Sequence, residues 1–283
     1  MKKFFLWSLP LLLVACLFGC NRQGADAPAV SDAIPTDTAQ STSHSTPAAA
    51  ETAAPPETSC KADVPLSPET YFENAVFVGD SILEGIRQYA VKLRKTEPTL
   101  GNAKFIATTI GISIADLVGD KTPCLCYSYG GKEQPLEDIL SSFPQVDRIF
   151  LMLGLNDLAA VSDPDIGTVT DRYLRLVQDL RRAFPDADIV ILTNPPKVAS
   201  SWLPSYVVNR AFNNALISQF VASVTAMCDE NNIPYIDIFA ALQDENGNLP
   251  DSYCRDGYIH LSDEGARVVV DTLHAFANSL GGQ

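Results

Sequence analysis

The chain has 283 residues, 46% of them hydrophobic and 19% charged, and its 34 acidic against 20 basic side chains leave a formal net charge of -14. This is a globular composition with ample aliphatic material for one buried core. The acidic surplus excludes the basic stripe that nucleic acid binding needs, and it excludes docking on anionic lipid by charge.

The N-terminus reads Met1-Lys2-Lys3, then an apolar run from Phe4 to Gly19 broken by Ser8, Pro10 and Cys16, then polar Asn21-Arg22-Gln23. A cationic start and an apolar stretch shorter than the roughly 20 residues of a membrane span form an export signal. The run passes a small residue followed by cysteine twice, at Ala15-Cys16 and Gly19-Cys20, and both places resemble a bacterial lipobox. Cys20, followed at once by polar chain, is the expected lipid attachment site, with Cys16 as the alternative. Residues 1–20 are thus expected to be a lipoprotein signal peptide, and the mature protein to be extracytoplasmic and lipid-anchored to the bacterial cell membrane. Residues 21–63 are dominated by Ala, Thr, Ser, Pro and Asp. With almost nothing to bury they cannot offset the entropy of ordering, and they read as a disordered tether. One folded domain, 64–283, remains.

In that domain short runs rich in Val, Ile and Phe alternate with segments of helical period. The runs predict strands at Ala75–Val78, Lys104–Ile110, Arg148–Leu153, Asp188–Thr193 and Tyr235–Phe239. Helices are predicted at Ser81–Arg94, Leu136–Phe143, Val169–Phe184, Tyr206–Asn231 and Asp263–Ser279. Continuous apolar strands imply burial on both faces, and strand–helix alternation implies a parallel sheet with right-handed crossovers. The expected fold class is α/β, a three-layer α/β/α sandwich around a central parallel five-stranded sheet. In such folds ligands bind at the C-terminal edge of the strands, so the residues following each strand carry the functional interest.

After the first strand stands Gly79-Asp80-Ser81, opening a helix. A serine there presents its hydroxyl at the sheet edge and its N–H at a helix N-terminus, although the same tripeptide serves equally as a plain helix cap. The second strand ends at Gly111, where the backbone can approach a ligand and offer an N–H. The third ends in Gly154-Leu155-Asn156-Asp157, whose asparagine amide can donate to an oxyanion, and whose default reading is a turn with a helix cap. After the last strand, Asp256-Gly257-Tyr258-Ile259-His260 precedes the final helix and carries the one histidine at a strand-edge loop. A nucleophile, oxyanion donors and a base standing on one edge are the requirements of acyl transfer.

These residues resemble the blocks of the SGNH hydrolase superfamily, the GDSL esterase/lipase family. Gly79-Asp80-Ser81 stands at the first block, with Ile82 where leucine is usual. Gly111 falls at the second, Gly154-Leu155-Asn156-Asp157 fits the third throughout, and His260 falls at the fifth. The resemblance spans Tyr71 to Phe276 and implies a flavodoxin-like fold, no cofactor and ester hydrolysis. It implies Ser81, His260 and Asp256 as catalytic residues, with the N–H groups of Ser81 and Gly111 and the Asn156 amide as the oxyanion hole. One feature departs from the family: Asp256 lies four residues before His260, where the family spaces Asp-x-x-His. Either the loop bulges to keep the carboxylate on the ring, or a backbone carbonyl orients it.

The expected partner is an acyl ester or acylated glycan, reached from an N-terminal membrane anchor, with no nucleic acid. The segments 120–131, with Tyr127 and Tyr129, and 195–206, with Trp202, are expected to rim the pocket, where their rings either stack on sugars, which points to O-acetyl removal from a cell-wall or surface glycan, or serve as ordinary loop packing. The alternatives are a lysophospholipase or short-chain lipase, a glycan O-acetyltransferase, and an inactive binding protein on the same fold. Beyond the signal region stand Cys60, Cys124, Cys126, Cys228 and Cys254. Cys124-x-Cys126 lacks the second cysteine pair of a structural zinc site, so no metal is expected. A disulfide from Cys254 to Cys124 or Cys126 is expected to tie the rim to the His260 loop, and Cys228 to be buried in its helix.

Overall fold

The computed structural model describes residues 67–123, 125–199 and 211–280. The signal, the tether, Cys60, Cys124 and Trp202 therefore lie outside the described residues, as does the predicted helix start at Tyr206. In chain order the elements are α1 (Pro68–Tyr71), β1 (Ala75–Gly79), α2 (Ser81–Leu93), β2 (Lys104–Ile106), α3 (Ile114–Leu117) and the hairpin of β3 (Tyr127–Tyr129) and β4 (Lys132–Gln134). Then follow α4 (Leu136–Ser141), β5 (Arg148–Met152), α5 (Leu155–Ala159), α6 (Ile166–Ala183), β6 (Asp188–Leu192), α7 (Asn214–Glu230), β7 (Tyr235–Ile236), α8 (Ile238–Leu242) and α9 (Asp263–Leu280).

The main sheet has five strands in the order β2-β1-β5-β6-β7, every neighbouring pair parallel. β1 is buried at all five positions, and β5 at four of five, as strands covered on both faces must be. In register, Phe77 faces Phe105 of β2 and Phe150 of β5. Their rings stack at centroid distances of 5.0 and 4.5 Å, a cross-strand aromatic row against which Phe72 packs. Helices α1, α2, α8 and α9 form one covering layer, and α3, α6 and α7 the other.

The predicted sandwich is therefore the observed one, with several elements shorter and β1, α6 and α9 one or two residues longer. The second strand stops at Ile106 rather than Ile110, and the last at Ile236. Ile238 and Phe239 instead enter α8, because Asp237 caps it by accepting the Ala240 N–H at 2.9 Å. Helix α7 starts at Asn214, where Asn213 accepts the Leu216 N–H at 3.0 Å. The β3–β4 hairpin and α1, α3, α5 and α8 were not predicted, being shorter than the windows in which periodicity is legible.

Gly154, the N-cap of α5, is in a left-handed conformation at φ +117°, and a Cβ there would stand 2.5 Å from the Phe220 ring of α7. Both backbone and space demand glycine. Gly154→Ala is expected to destabilise the fold by about 2–4 kcal/mol and to displace α5 with Asn156. Urea denaturation reads the first effect and esterase turnover the second.

Candidate active site

The turn between β1 and α2 decides what Ser81 is free to do. Asp80, not Ser81, is the N-cap: its Oδ1 accepts the Ile82 N–H at 2.9 Å. The Ser81 hydroxyl is thereby left available, and it lies 2.9 Å from His260 Nε2. The other ring nitrogen, Nδ1, is 2.5 Å from Asp256 Oδ2. Ser81, His260 and Asp256 thus form one continuous hydrogen-bonded chain, half-buried at the C-terminal edge of the sheet.

The unusual spacing is absorbed by the loop itself. Cys254 and Leu261 pair as an antiparallel bridge, and the Arg255 N–H donates to His260 O at 2.8 Å, closing the loop like a small hairpin. Inside it, Asp256 Oδ1 accepts the N–H groups of Tyr258, Ile259 and His260 at 2.9, 3.0 and 3.2 Å. Gly257 supplies the positive φ of +66° that this curl requires. The carboxylate therefore anchors the backbone with one oxygen and the imidazole with the other, and the bulged geometry holds rather than a carbonyl contact. Burial raises the Asp256 carboxyl, but the hydrogen bonds from His260 and Ile259 outweigh it and bring its pKa down to about 2.

Asn156, in the first turn of α5, donates its Nδ2 hydrogens to Asp80 Oδ2 at 3.0 Å and to Ile112 O at 2.8 Å. Gly111 adjoins it, since a Cβ on that glycine would stand 3.4 Å from Asn156 Oδ1. Ser81, Gly111 and Asn156 are thus gathered by the same contacts. Asp157 caps α3 rather than its own helix, accepting the Ile114 and Ala115 N–H groups at 2.8 and 3.2 Å. That contact pins the segment carrying Gly111 onto α5. Sequence reading missed it, because the carboxylate and its partners are 43 and 42 residues apart.

Two expectations are overturned, the stacking of Tyr127 on a sugar and the Cys254 disulfide. Tyr127 is 1% exposed and its hydroxyl donates to Gly79 O at 3.0 Å, so it supports the β1 end from below and offers no ring to a sugar. Tyr129 packs edge-on to Phe143 at 5.6 Å. The expected disulfide is also absent: Cys254 is a free thiol whose Sγ donates to Asp256 Oδ1 at 3.4 Å. The β-bridge turns Cys254 toward the carboxylate instead of across the edge. Cys228 is buried as expected, which pushes its thiol up to about 12.

A family model, the GDSL-like lipase/acylhydrolase family, matches residues 77–268. The chain belongs to that family and is an ester-hydrolysing enzyme. Three solved structures share the fold with a TM-score of 0.53 each. A Streptococcus pneumonia protein described as a platelet activating factor is 20% identical, covering 74% of this chain and 91% of its own. A Bacteroides fragilis protein described as an acylhydrolase is 18% identical over 73% and 87%. A GDSL-like lipase from Bacteroides thetaiotaomicron is 15% identical over 73% and 88%. No curated protein sequence matches the chain.

Asp80 is 1% exposed, and burial raises its pKa from 3.8 to about 6 against the pull of the Ile82 N–H and of His260, with Asp157 adding to the rise. A carboxyl raised on folding makes the native state bind more protons between those values, so stability falls as pH climbs through them. The loss amounts to about 2 kcal/mol between pH 4 and pH 6.5. Denaturant titrations across that range are expected to show it in the wild type and to show it removed in Asp80→Asn.

Proposed function

We propose that the protein is a cell-envelope serine esterase that removes small acyl groups, O-acetyl above all, from a cell-wall or surface glycan. The observation that carries the mechanism is the Ser81–His260–Asp256 chain at 2.9 and 2.5 Å. His260 takes the Ser81 proton as the oxygen attacks the ester carbonyl, and Asp256 fixes the ring tautomer and stabilises the imidazolium that forms. The oxyanion is held by the N–H groups of Ser81 and Gly111 and by the Asn156 amide. Collapse expels the alcohol, protonated by His260, and water repeats the sequence on the acyl-enzyme. The export signal with Cys20 or Cys16 supports the location, and the location supports an acylated glycan as substrate.

A second reading, hydrolysis of longer acyl chains, is favoured by Ile110 and Leu125, which are 46% and 40% exposed in the segments after β2. Preference among p-nitrophenyl acetate, butyrate and octanoate decides between them, acetate being expected to lead. Ser81→Ala is expected to abolish turnover. Asp256→Asn is expected to lower kcat by about 10⁴-fold, the cost of losing the aspartate in a serine protease triad. Asn156→Ala is expected to lower kcat by about 10²–10³-fold at nearly unchanged KM. Turnover surviving in Ser81→Ala overturns the serine mechanism.

A further inference from the structure

The Asn156 amide has two hydrogens, and both are engaged before any substrate arrives. One goes to the side chain of Asp80, the residue immediately before Ser81. The other goes to the carbonyl of Ile112, the residue immediately after Gly111. The nitrogen therefore sits as a clasp between the two turns that carry the remaining oxyanion donors. The orientation of an amide is not set by shape, because its oxygen and nitrogen ends are nearly isosteric; its partners set it. A backbone carbonyl only accepts, and so does the Asp80 carboxylate above its pKa of about 6, so at pH 7 and above they together admit the nitrogen end and reject the oxygen end. Asp80 is 1% exposed, and its second oxygen is fixed by the Ile82 N–H, so it cannot swing away to accommodate a turned amide.

We propose that Asp80 is the positioning residue of the oxyanion hole, holding the Asn156 amide with its nitrogen between the Asp80 carboxylate and the Ile112 carbonyl and its oxygen on the Gly111 side. The oxyanion formed on attack shares one of the hydrogens already in place, which costs less reorganisation than turning the amide within a packed site. This inference rests on the serine esterase reading and adds a residue that touches neither substrate nor Ser81 Oγ. The same carboxylate caps α2, so the test has to separate the two roles.

Two substitutions do so. Asp80→Asn keeps the shape but meets the Asn156 nitrogen with a nitrogen of its own whenever its oxygen serves Ile82. Asp80→Ser keeps a good cap for the Ile82 N–H but is too short to reach Asn156. Each is made in the wild type and in Asn156→Ala, with folding checked by circular dichroism, and kcat and KM are measured on p-nitrophenyl acetate. Both are expected to lower kcat by about 10–100-fold in the wild type with KM within about twofold, and by less than about threefold once Asn156 is gone. Equal losses in both backgrounds, or full activity in a folded Asp80→Ser, overturn the assignment while leaving the serine mechanism standing. If wild type and Ser81→Ala turn over alike, the esterase mechanism itself falls, and the positioning role with it.

Discussion

A parallel sheet covered by helices on both faces meets water only at its strand ends, and this constraint orders the rest of the molecule. β1 and β5, lying side by side at the centre, have almost no exposed side chain along their length, so their polar chemistry gathers where they stop. The strand order places β1 beside β5 at the point where the chain's progression reverses, the position at which open α/β sheets form their crevice. Ser81 follows the first of these strands and Asn156 stands just beyond the second. The aromatic row of Phe105, Phe77 and Phe150 fixes the relative height of β2, β1 and β5. The turns they deliver therefore arrive at one level.

Carboxylates do the joining at that edge, each through both oxygens. Asp256 binds the backbone of its own loop and the imidazole. Asp157 binds two N–H groups of α3, and Asp80 binds an N–H of α2 together with Asn156. Burial raises Asp80 and Asp157, whereas the hydrogen bonds at Asp256 prevail over burial. The difference follows from burial and from donors: Asp80 is fully buried with one backbone N–H and a neutral amide, whereas Asp256 is half-buried and collects three backbone N–H groups and the ring. One fold thus holds one carboxylate firmly ionised beside the histidine and another near its titration range beneath the serine. A cavity of about 390 Å³ lined by Tyr71, Arg148, Asp188 and Phe276 opens at the opposite, N-terminal edge and takes no part in this arrangement.

The sequence by itself determined the layers, the strand positions to within a few residues, and which side chains stand at the strand ends. Those features follow from local composition, since a run such as Ala75-Val-Phe-Val78 is stable only where both faces are buried, whatever surrounds it. Ser81, Gly111 and Asn156 were legible for the same reason, each lying just past a run that reads as a strand, and His260 because its loop leads into the final helix. Only the tertiary structure decided how those residues are joined. Asp256 reaches His260 across an extra residue because Gly257 and three N–H groups curl the loop, a geometry that spacing alone does not reveal. Tyr127 turned inward and Cys254 toward Asp256 because a carbonyl and a carboxylate lay there to accept their hydrogens. Asp80 and Asn156 meet over a separation of 76 residues. Hydrophobic patterning is a property of neighbours in the chain, whereas a buried hydrogen bond is chosen among groups that packing alone brings together.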